Sequence, residues 1–270
     1  MKLAAIQMNS GDDMAENSAM LRTLIAQASQ AGAQFIATPE NSFYMRREGS
    51  VAIADYAMRD HPGIACTQEA AVRHGVWILI GSVRVREVGM SKAFNRSVLV
   101  APTGVIAATY DKIHLFDVDL PGGQSYRESS QAQAGAHAVV APIDASLTLG
   151  MSICYDLRFP ALYQMLSAKG AGLLAVPSAF TRPTGAAHWH SLLQARAIEN
   201  AAYVIAPAQC GTHPGGRETY GHSMILDPWG EVLAVAQGDY PQLIYATYDP
   251  ARLAQVRAHI PVLAHRQPIL

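Results

Sequence analysis

The stretch Leu147-Thr-Leu-Gly-Met-Ser-Ile-Cys154-Tyr-Asp156-Leu-Arg158-Phe-Pro160 is an apolar run that ends at a thiol and then turns polar. Leu147–Ile153 has the length and composition of a buried strand. Pro160 follows, then a helical pattern over Ala161–Lys169 closed by Gly170, and a second apolar strand over Gly172–Val176. A strand, a helix and a strand in this order make a βαβ unit, and such units predict parallel sheets covered by helices. The cysteine closes the first strand just before a helix begins. There the positive helix end and free backbone N–H groups favour a thiolate.

The pattern extends in both directions. Upstream, Leu3–Met8 is a short apolar run, Ala15–Ala31 has helical apolar spacing ended by Gly32, and Gln34–Thr38 reads as a strand leading into Pro39-Glu40. Thr67–His74 reads as a helix closed by Gly75, and Val76–Val85 as a strand. Ser97–Ala101 and Val105–Tyr110 form a hairpin across Pro102-Thr-Gly104. Downstream, a helix over His188–Asn200 and a strand over Ala202–Pro207 precede a second hairpin, Ser223–Leu226 and Glu231–Val235, across Asp227-Pro-Trp-Gly230. Each half thus holds βαβ units and a hairpin, as an internal duplication would. Asp111–Gly135 is the longest stretch without periodicity, and long irregular loops in compact domains are often functional.

Composition narrows the function. The chain has 270 residues, half of them hydrophobic, and a net charge of −1 with no Lys/Arg run. Phosphate binding needs a concentrated basic face, so nucleic acid is not an expected partner. The three cysteines, Cys66, Cys154 and Cys210, are far apart and odd in number, which argues against a disulfide framework or a zinc knuckle. A reducing cytoplasm is the natural compartment. The N-terminus lacks a secretory apolar core, and no run of about 18 apolar residues predicts a membrane span.

Three reactive side chains stand just past apolar strands, where α/β proteins gather their chemistry. Glu40 follows Gln34–Thr38, Lys112 follows Val105–Tyr110, and Cys154 follows Leu147–Ile153. Cys154 has the chemistry of a nucleophile. Glu40 has that of a general base, with a pKa that partial burial would raise toward the working range. Lys112 is suited to stabilise an oxyanion together with the Tyr155 N–H. Each has a plainer reading as inert core cysteine or solvated surface charge. A histidine-assisted cysteine hydrolase also stays open, since the chain has ten histidines. The serine elbow G-x-S-x-G and the Gly-rich nucleotide loops are absent, and His188-Trp-His190 does not place two histidines on one helical face.

Taken in order, these segments carry a family resemblance. Pro39-Glu40-Asn41, Tyr110-Asp-Lys112-Ile-His114-Leu-Phe116-Asp, Glu128-Ser129, Cys154-Tyr-Asp156-Leu-Arg158-Phe-Pro160, Pro177-Ser-Ala-Phe180, Ala187-His-Trp189, Gln194-Ala-Arg196-Ala-Ile-Glu199-Asn200 and Tyr220-Gly-His222-Ser-Met-Ile-Leu-Asp227-Pro-Trp-Gly230 resemble the nitrilase superfamily of carbon–nitrogen hydrolases. The resemblance implies a four-layer αββα sandwich of two pseudo-symmetric halves. It implies one hydrolase domain over residues 1–270, a tail from about 250 packed on that domain or on a partner subunit, and a homodimer formed through a helical face. It implies a Glu40–Lys112–Cys154 triad, with Glu128 and Tyr155 positioning the substrate and its oxyanion, and with no cofactor or metal. Within the superfamily the chain is most similar to the Nit branch, through Ala208-Gln-Cys210-Gly-Thr-His213, Gly221-His-Ser-Met and Ile260-Pro-Val-Leu-Ala-His265-Arg-Gln-Pro268. It departs from that branch at Ala186 and His190.

The resemblance implies hydrolysis of a small-molecule amide, with deaminated glutathione, cleaved to 2-oxoglutarate and cysteinylglycine, as the expected substrate. Arg158, Phe180, Arg182 and His188 are candidates for binding it, as is Arg196. Two alternatives are an ω-amidase acting on 2-oxoglutaramate or 2-oxosuccinamate, and a non-catalytic interaction protein on the same fold.

Overall fold

The computed structural model describes residues 1–47, 55–120 and 123–267. The first half runs β1 (Lys2–Gln7), α1 (Met14–Gln30), β2 (Phe35–Ala37), α2 (Pro62–His74), β3 (Trp77–Val85), β4 (Ala93–Val100) and β5 (Ile106–Asp111). The second runs β6 (Val140–Pro142), β7 (Thr148–Met151), α3 (Pro160–Ala168), β8 (Leu173–Ala175), α4 (Arg182–Asn200), β9 (Tyr203–Ala206), β10 (Met224–Leu226) and β11 (Val232–Val235). The strand β12 (Gln242–Thr247) and the helix α5 (Pro250–His259) follow.

The two sheets have the same plan. In the first the order is β12-β1-β2-β3-β4-β5, and in the second it is β6-β7-β8-β9-β10-β11. Each has three parallel central strands, β1-β2-β3 or β7-β8-β9, flanked by antiparallel neighbours. The expected pseudo-symmetry is therefore present in the strand order. Two reversals, β3 to β4 and β4 to β5, point β5 the same way as β2. Lys112 and Glu40 consequently leave the same edge of the first sheet.

Period-two alternation builds the layers. In β1, Leu3 and Ala5 face the core shared with Leu149, Met151, Leu173 and Ala175 of the second sheet. Ala4 and Ile6 face outward onto Leu21, Leu24 and Ile25 of α1 and Ile64 of α2. On the far side, α3 and α4 cover the second sheet through Leu162, Leu166, Trp189 and Leu193. The result is an αββα sandwich.

Helix starts depart from the apolar spacing. α2 begins at Pro62 and α4 at Arg182-Pro183, both earlier than the starts at Thr67 and His188 that the apolar spacing predicts. Proline is well placed in a first turn, where its missing N–H costs nothing. Gly75 closes α2 at φ 64°, a left-handed cap that favours glycine. The Asp111–Gly135 segment holds a small antiparallel ribbon, Asp117–Asp119 with Ser125–Arg127, and a 3-10 turn over Glu128–Ser130. From α5, Arg257 donates to the carbonyls of Ala201 and Ala171, and beyond the helix Arg266 donates to Ser167, Asn200 and the carbonyls of Gln164 and Glu199. The last three residues of the expected tail, 268–270, lie outside the described residues.

Gly81, in the middle of β3, leaves no room for a side chain. A Cβ there would sit 2.2 Å from the Thr38 carbonyl oxygen and 2.3 Å from that of Pro39. Its N–H donates to Thr38 Oγ1 at 3.0 Å. Gly81→Ala is expected to cost about 1–3 kcal/mol of stability, read as a lower urea midpoint, because backbone must shift to admit the methyl group.

Candidate active site

Four strand ends converge on one cavity of about 470 Å³. Glu40 comes three residues after β2, Lys112 directly after β5, Cys154 three residues after β7 and Ala179 four residues after β8. The 3-10 helix Cys154–Arg158 starts at the thiol. Cys154 itself has φ 50°, the left-handed region that non-glycine residues avoid, and its N–H donates to the Pro177 carbonyl at 2.9 Å. Tyr155 occupies the first turn of that helix, where an amide N–H has no acceptor within the helix.

Glu40, Lys112 and Cys154 are nearly inaccessible, at 3%, 2% and 7% exposure. Lys112 Nζ donates to Glu40 Oε1 at 3.0 Å and to Glu128 Oε2 at 2.8 Å. Asn95 Nδ2 donates to the same two carboxylates, to Glu40 Oε1 and Glu128 Oε1, each at 2.9 Å. Both carboxylates only accept hydrogen bonds, so the Asn95 amide nitrogen must face them. The Ala179 N–H holds Glu40 Oε2 at 2.9 Å, and the Phe116 N–H holds Glu128 Oε2 at 2.7 Å. The Cys154 thiol is close enough to Glu40 for each to shift the other's pKa.

The electrostatics correct two expectations. Burial works to raise the Glu40 pKa, but the Lys112 charge, hydrogen bonds from Cys154 and Lys112, and the Arg217 charge outweigh it and hold the carboxyl below its ordinary value. The expected upward shift is absent because Glu40 is paired as well as buried. Burial also works to strip the proton from Lys112, yet Glu128 and Glu40 hold it well above the usual lysine range. For Cys154, burial and then the Glu40 charge push the thiol pKa up, more than Lys112 pulls it down. The site therefore holds a protonated thiol beside an ionised carboxylate, not the thiolate that its position at a helix start suggests.

A second network locks the frame. The buried Asp156 accepts from Tyr110 Oη at 2.7 Å, from the His114 N–H at 3.0 Å and from the Ile153 N–H at 2.9 Å, and pairs with His114 Nδ1 at 2.7 Å. It joins the segment that carries Lys112 to the segment that carries Cys154. His114 stacks on Phe159 with ring centroids 3.6 Å apart.

Of the sequence candidates, Glu128, Tyr155, Arg158 and Phe180 line the cavity with the three reactive residues. Arg182 and His188 do not. Arg182 pairs with Asp239 at 2.8 Å and Glu218 at 3.5 Å, and the His188 ring contacts Arg158 at 3.3 Å from behind. Arg196 is committed to the Leu157 carbonyl and Glu199. No histidine is among the described residues that line the cavity. The departures at Ala186 and His190 also lie outside it; His190 packs near His222 and Tyr220.

Asn95 and Arg217 escaped the sequence reading. Asn95 did carry a signal: in Ala93-Phe-Asn95-Arg-Ser97, the buried positions alternate, so a polar residue falls on the inward face. Arg217, in the turn between the strands Cys210–Thr212 and Glu218–Tyr220, carries none.

The profile of the carbon–nitrogen hydrolase family matches residues 2–258. A Synechocystis protein named deaminated glutathione amidase is 45% identical over 270 residues, covering 97% of either chain. A Yersinia enterocolitica protein of the same name is 38% identical, covering 98% of this chain and 92% of that one. The crystal structure of the Caenorhabditis elegans NitFhit protein superposes with a TM-score of 0.89 at 35% identity, covering 98% of this chain and 65% of that one. Saccharomyces cerevisiae Nit3, a member of branch 10 of the nitrilase superfamily, superposes with a TM-score of 0.85 at 26% identity, over 97% and 94% of the two chains. By profile, sequence and superposition alike, this chain belongs to the carbon–nitrogen hydrolase family.

Proposed function

We propose that the protein is a cysteine-dependent amidase that cleaves deaminated glutathione to 2-oxoglutarate and cysteinylglycine. The observation that carries this reading is that Glu40, hydrogen-bonded to Lys112, lines one cavity together with Lys112 and the Cys154 thiol. The names of relatives at up to 45% identity supply the substrate. In this mechanism the Cys154 sulfur attacks the amide carbon as its proton passes to Glu40. Lys112 and the Tyr155 N–H take the oxyanion. Glu40 returns the proton to the departing amine and a thioester remains. A water that gives its proton to Glu40 then attacks the thioester, releasing the acid and restoring the thiol. Glu128 and Asn95 hold Lys112 and Glu40 in place throughout.

The reading includes a single hydrolase domain over residues 1–270, with the tail packed on its own domain through Arg257 and Arg266. Three free cysteines suit the cytoplasm. No described helix is long and apolar enough to cross a membrane. The outer face of α3 and α4 exposes Met165 and Ile198, at 52% and 54%, and Trp229 adds 50% exposure at the β10–β11 turn. Gly230 in that turn lies against the Ile198 side chain. An apolar patch of this kind suits the homodimer contact.

Variant activity, substrate preference, pH dependence and oligomeric state test the reading. Cys154→Ala is expected to abolish release of both products from deaminated glutathione, and Glu40→Gln to lower kcat by about 10²–10⁴-fold. A higher kcat/KM for 2-oxoglutaramate than for deaminated glutathione would move the assignment to an ω-amidase. The pH profile of kcat/KM reports the free enzyme. A depressed Glu40 pKa keeps the base form as pH falls, so the acid limb is expected below the ordinary carboxyl value of 4.5, and a limb centred above it contradicts the assigned base. Ile198→Glu is expected to convert a dimer to a monomer in analytical ultracentrifugation without loss of fold by circular dichroism.

A further inference from the structure

The cavity wall carries more positive charge than the hydrolysis uses. Six arginines line it. Arg47, Arg84 and Arg127 are paired with Asp12 at 3.2 Å, Asp55 at 2.7 Å and Asp119 at 2.8 Å; Arg158 is held against His188 Nδ1 at 3.3 Å and over the Tyr155 and Phe180 rings; Arg46 is a fifth. Among the described residues, Arg217 also lines it and has no carboxylate at ion-pair distance. Its Nη2 donates to the Ala179 carbonyl at 2.9 Å, and its guanidinium lies over the Tyr126 ring, 5.5 Å from the centroid. Its Nε is buried without a hydrogen-bond partner. A buried, unpaired guanidinium N–H is costly to leave unsatisfied, and the planar fork of arginine matches a carboxylate in two parallel hydrogen bonds.

We propose that Arg217 seats a carboxylate on the acyl side of the substrate, making the enzyme selective for amides of short dicarboxylic acids. The proposal rests on the amidase reading above. Position argues for the acyl side. Ala179 links the two groups, since its carbonyl holds Arg217 and its N–H holds Glu40. Glu40 acts in both half-reactions, and only the acyl part of the substrate stays in the cavity through both. The charge of Arg217 helps to hold the Glu40 pKa down. A carboxylate bound to Arg217 offsets that charge, so the correct substrate makes Glu40 a stronger base where the thiol proton must be taken. A neutral amide leaves Glu40 in its weaker state. Selectivity then resides in the rate of the chemical step as well as in binding.

The test pairs binding with kinetics. Binding of 2-oxoglutarate, the acyl product, is measured by calorimetry on Cys154→Ala protein with and without Arg217→Gln. The Kd is expected to rise by roughly 10–100-fold on loss of the charged hydrogen bonds. In protein with the thiol intact, Arg217→Gln is expected to lower kcat/KM for 2-oxoglutaramate by at least about tenfold more than for butyramide, which has no carboxylate. Arg217→Lys recovers part of that difference, because the charge returns without the fork. An equal loss on both amides, or a 2-oxoglutarate Kd indifferent to Arg217, overturns the anchor. The two readings fail separately. Turnover with an indifferent Kd refutes the anchor alone, whereas Arg217-dependent 2-oxoglutarate binding with no amide hydrolysed refutes the amidase reading alone.

Discussion

A single ammonium group, Lys112 Nζ, lies between two carboxylates in a place almost closed to water. Removing one partner from such a buried set costs about 3–5 kcal/mol, because it strands the others uncompensated. The pairing therefore fixes more than a salt bridge. Lys112 leaves the first sheet at β5, Glu40 leaves it at β2, and Glu128 belongs to the irregular segment between the two halves. Asn95, from β4, crosslinks both carboxylates a second time. Neither carboxylate can move without breaking hydrogen bonds to two other elements. The cavity is preorganised by charge neutralisation, which is the state that stabilises a developing oxyanion without rearrangement.

Cys154 is held by a different device. Cys154 occupies a left-handed conformation, and the strain is met by the backbone bond to Pro177 and by Asp156, which grips the residue before it and the loop beyond Lys112. The two devices meet at Glu40. Its lowered pKa and the raised pKa of the thiol come from opposite balances: at Glu40 the pairing with Lys112 overrides burial, whereas at Cys154 burial prevails. In the proposed mechanism the thiol loses its proton only as a carbonyl carbon accepts its electrons.

Much of this was legible in the sequence. Strand ends placed Glu40, Lys112 and Cys154 on sheet edges because apolar runs and their termination are local signals. Glu128 was legible only through resemblance, since Tyr126-Arg-Glu128-Ser has no periodicity. Its role is created by a 3-10 turn that folds it back onto Lys112. The helix starts at Pro62 and Arg182 are not legible because proline and glycine in both first turns interrupt the helical pattern. Asn95 was missed by two residues of strand length. The direction of the Glu40 pKa was misread because burial can be argued from one residue, whereas pairing needs the positions of several. Arg182 shows the same limit: its charge is evident, but its partners Asp239 and Glu218 come from other turns of the chain.

The pairing of β12 with β1 sets the order in which the molecule can be made. Lys2 lies opposite Thr247 and Gln7 opposite Gln242, so β1 emerges from the ribosome long before the strand that covers its edge. Until then the first sheet has an open edge at β1, with Leu3, Ala5 and Ile6 beside unpaired backbone groups. A nascent first half can satisfy α1, α2 and β2 to β5 by itself, but it presents a sticky border to other nascent chains throughout synthesis of the second. Closure of that border is a late, non-local event, which slows folding and makes the growing chain a client for whatever shields apolar edges in the cell.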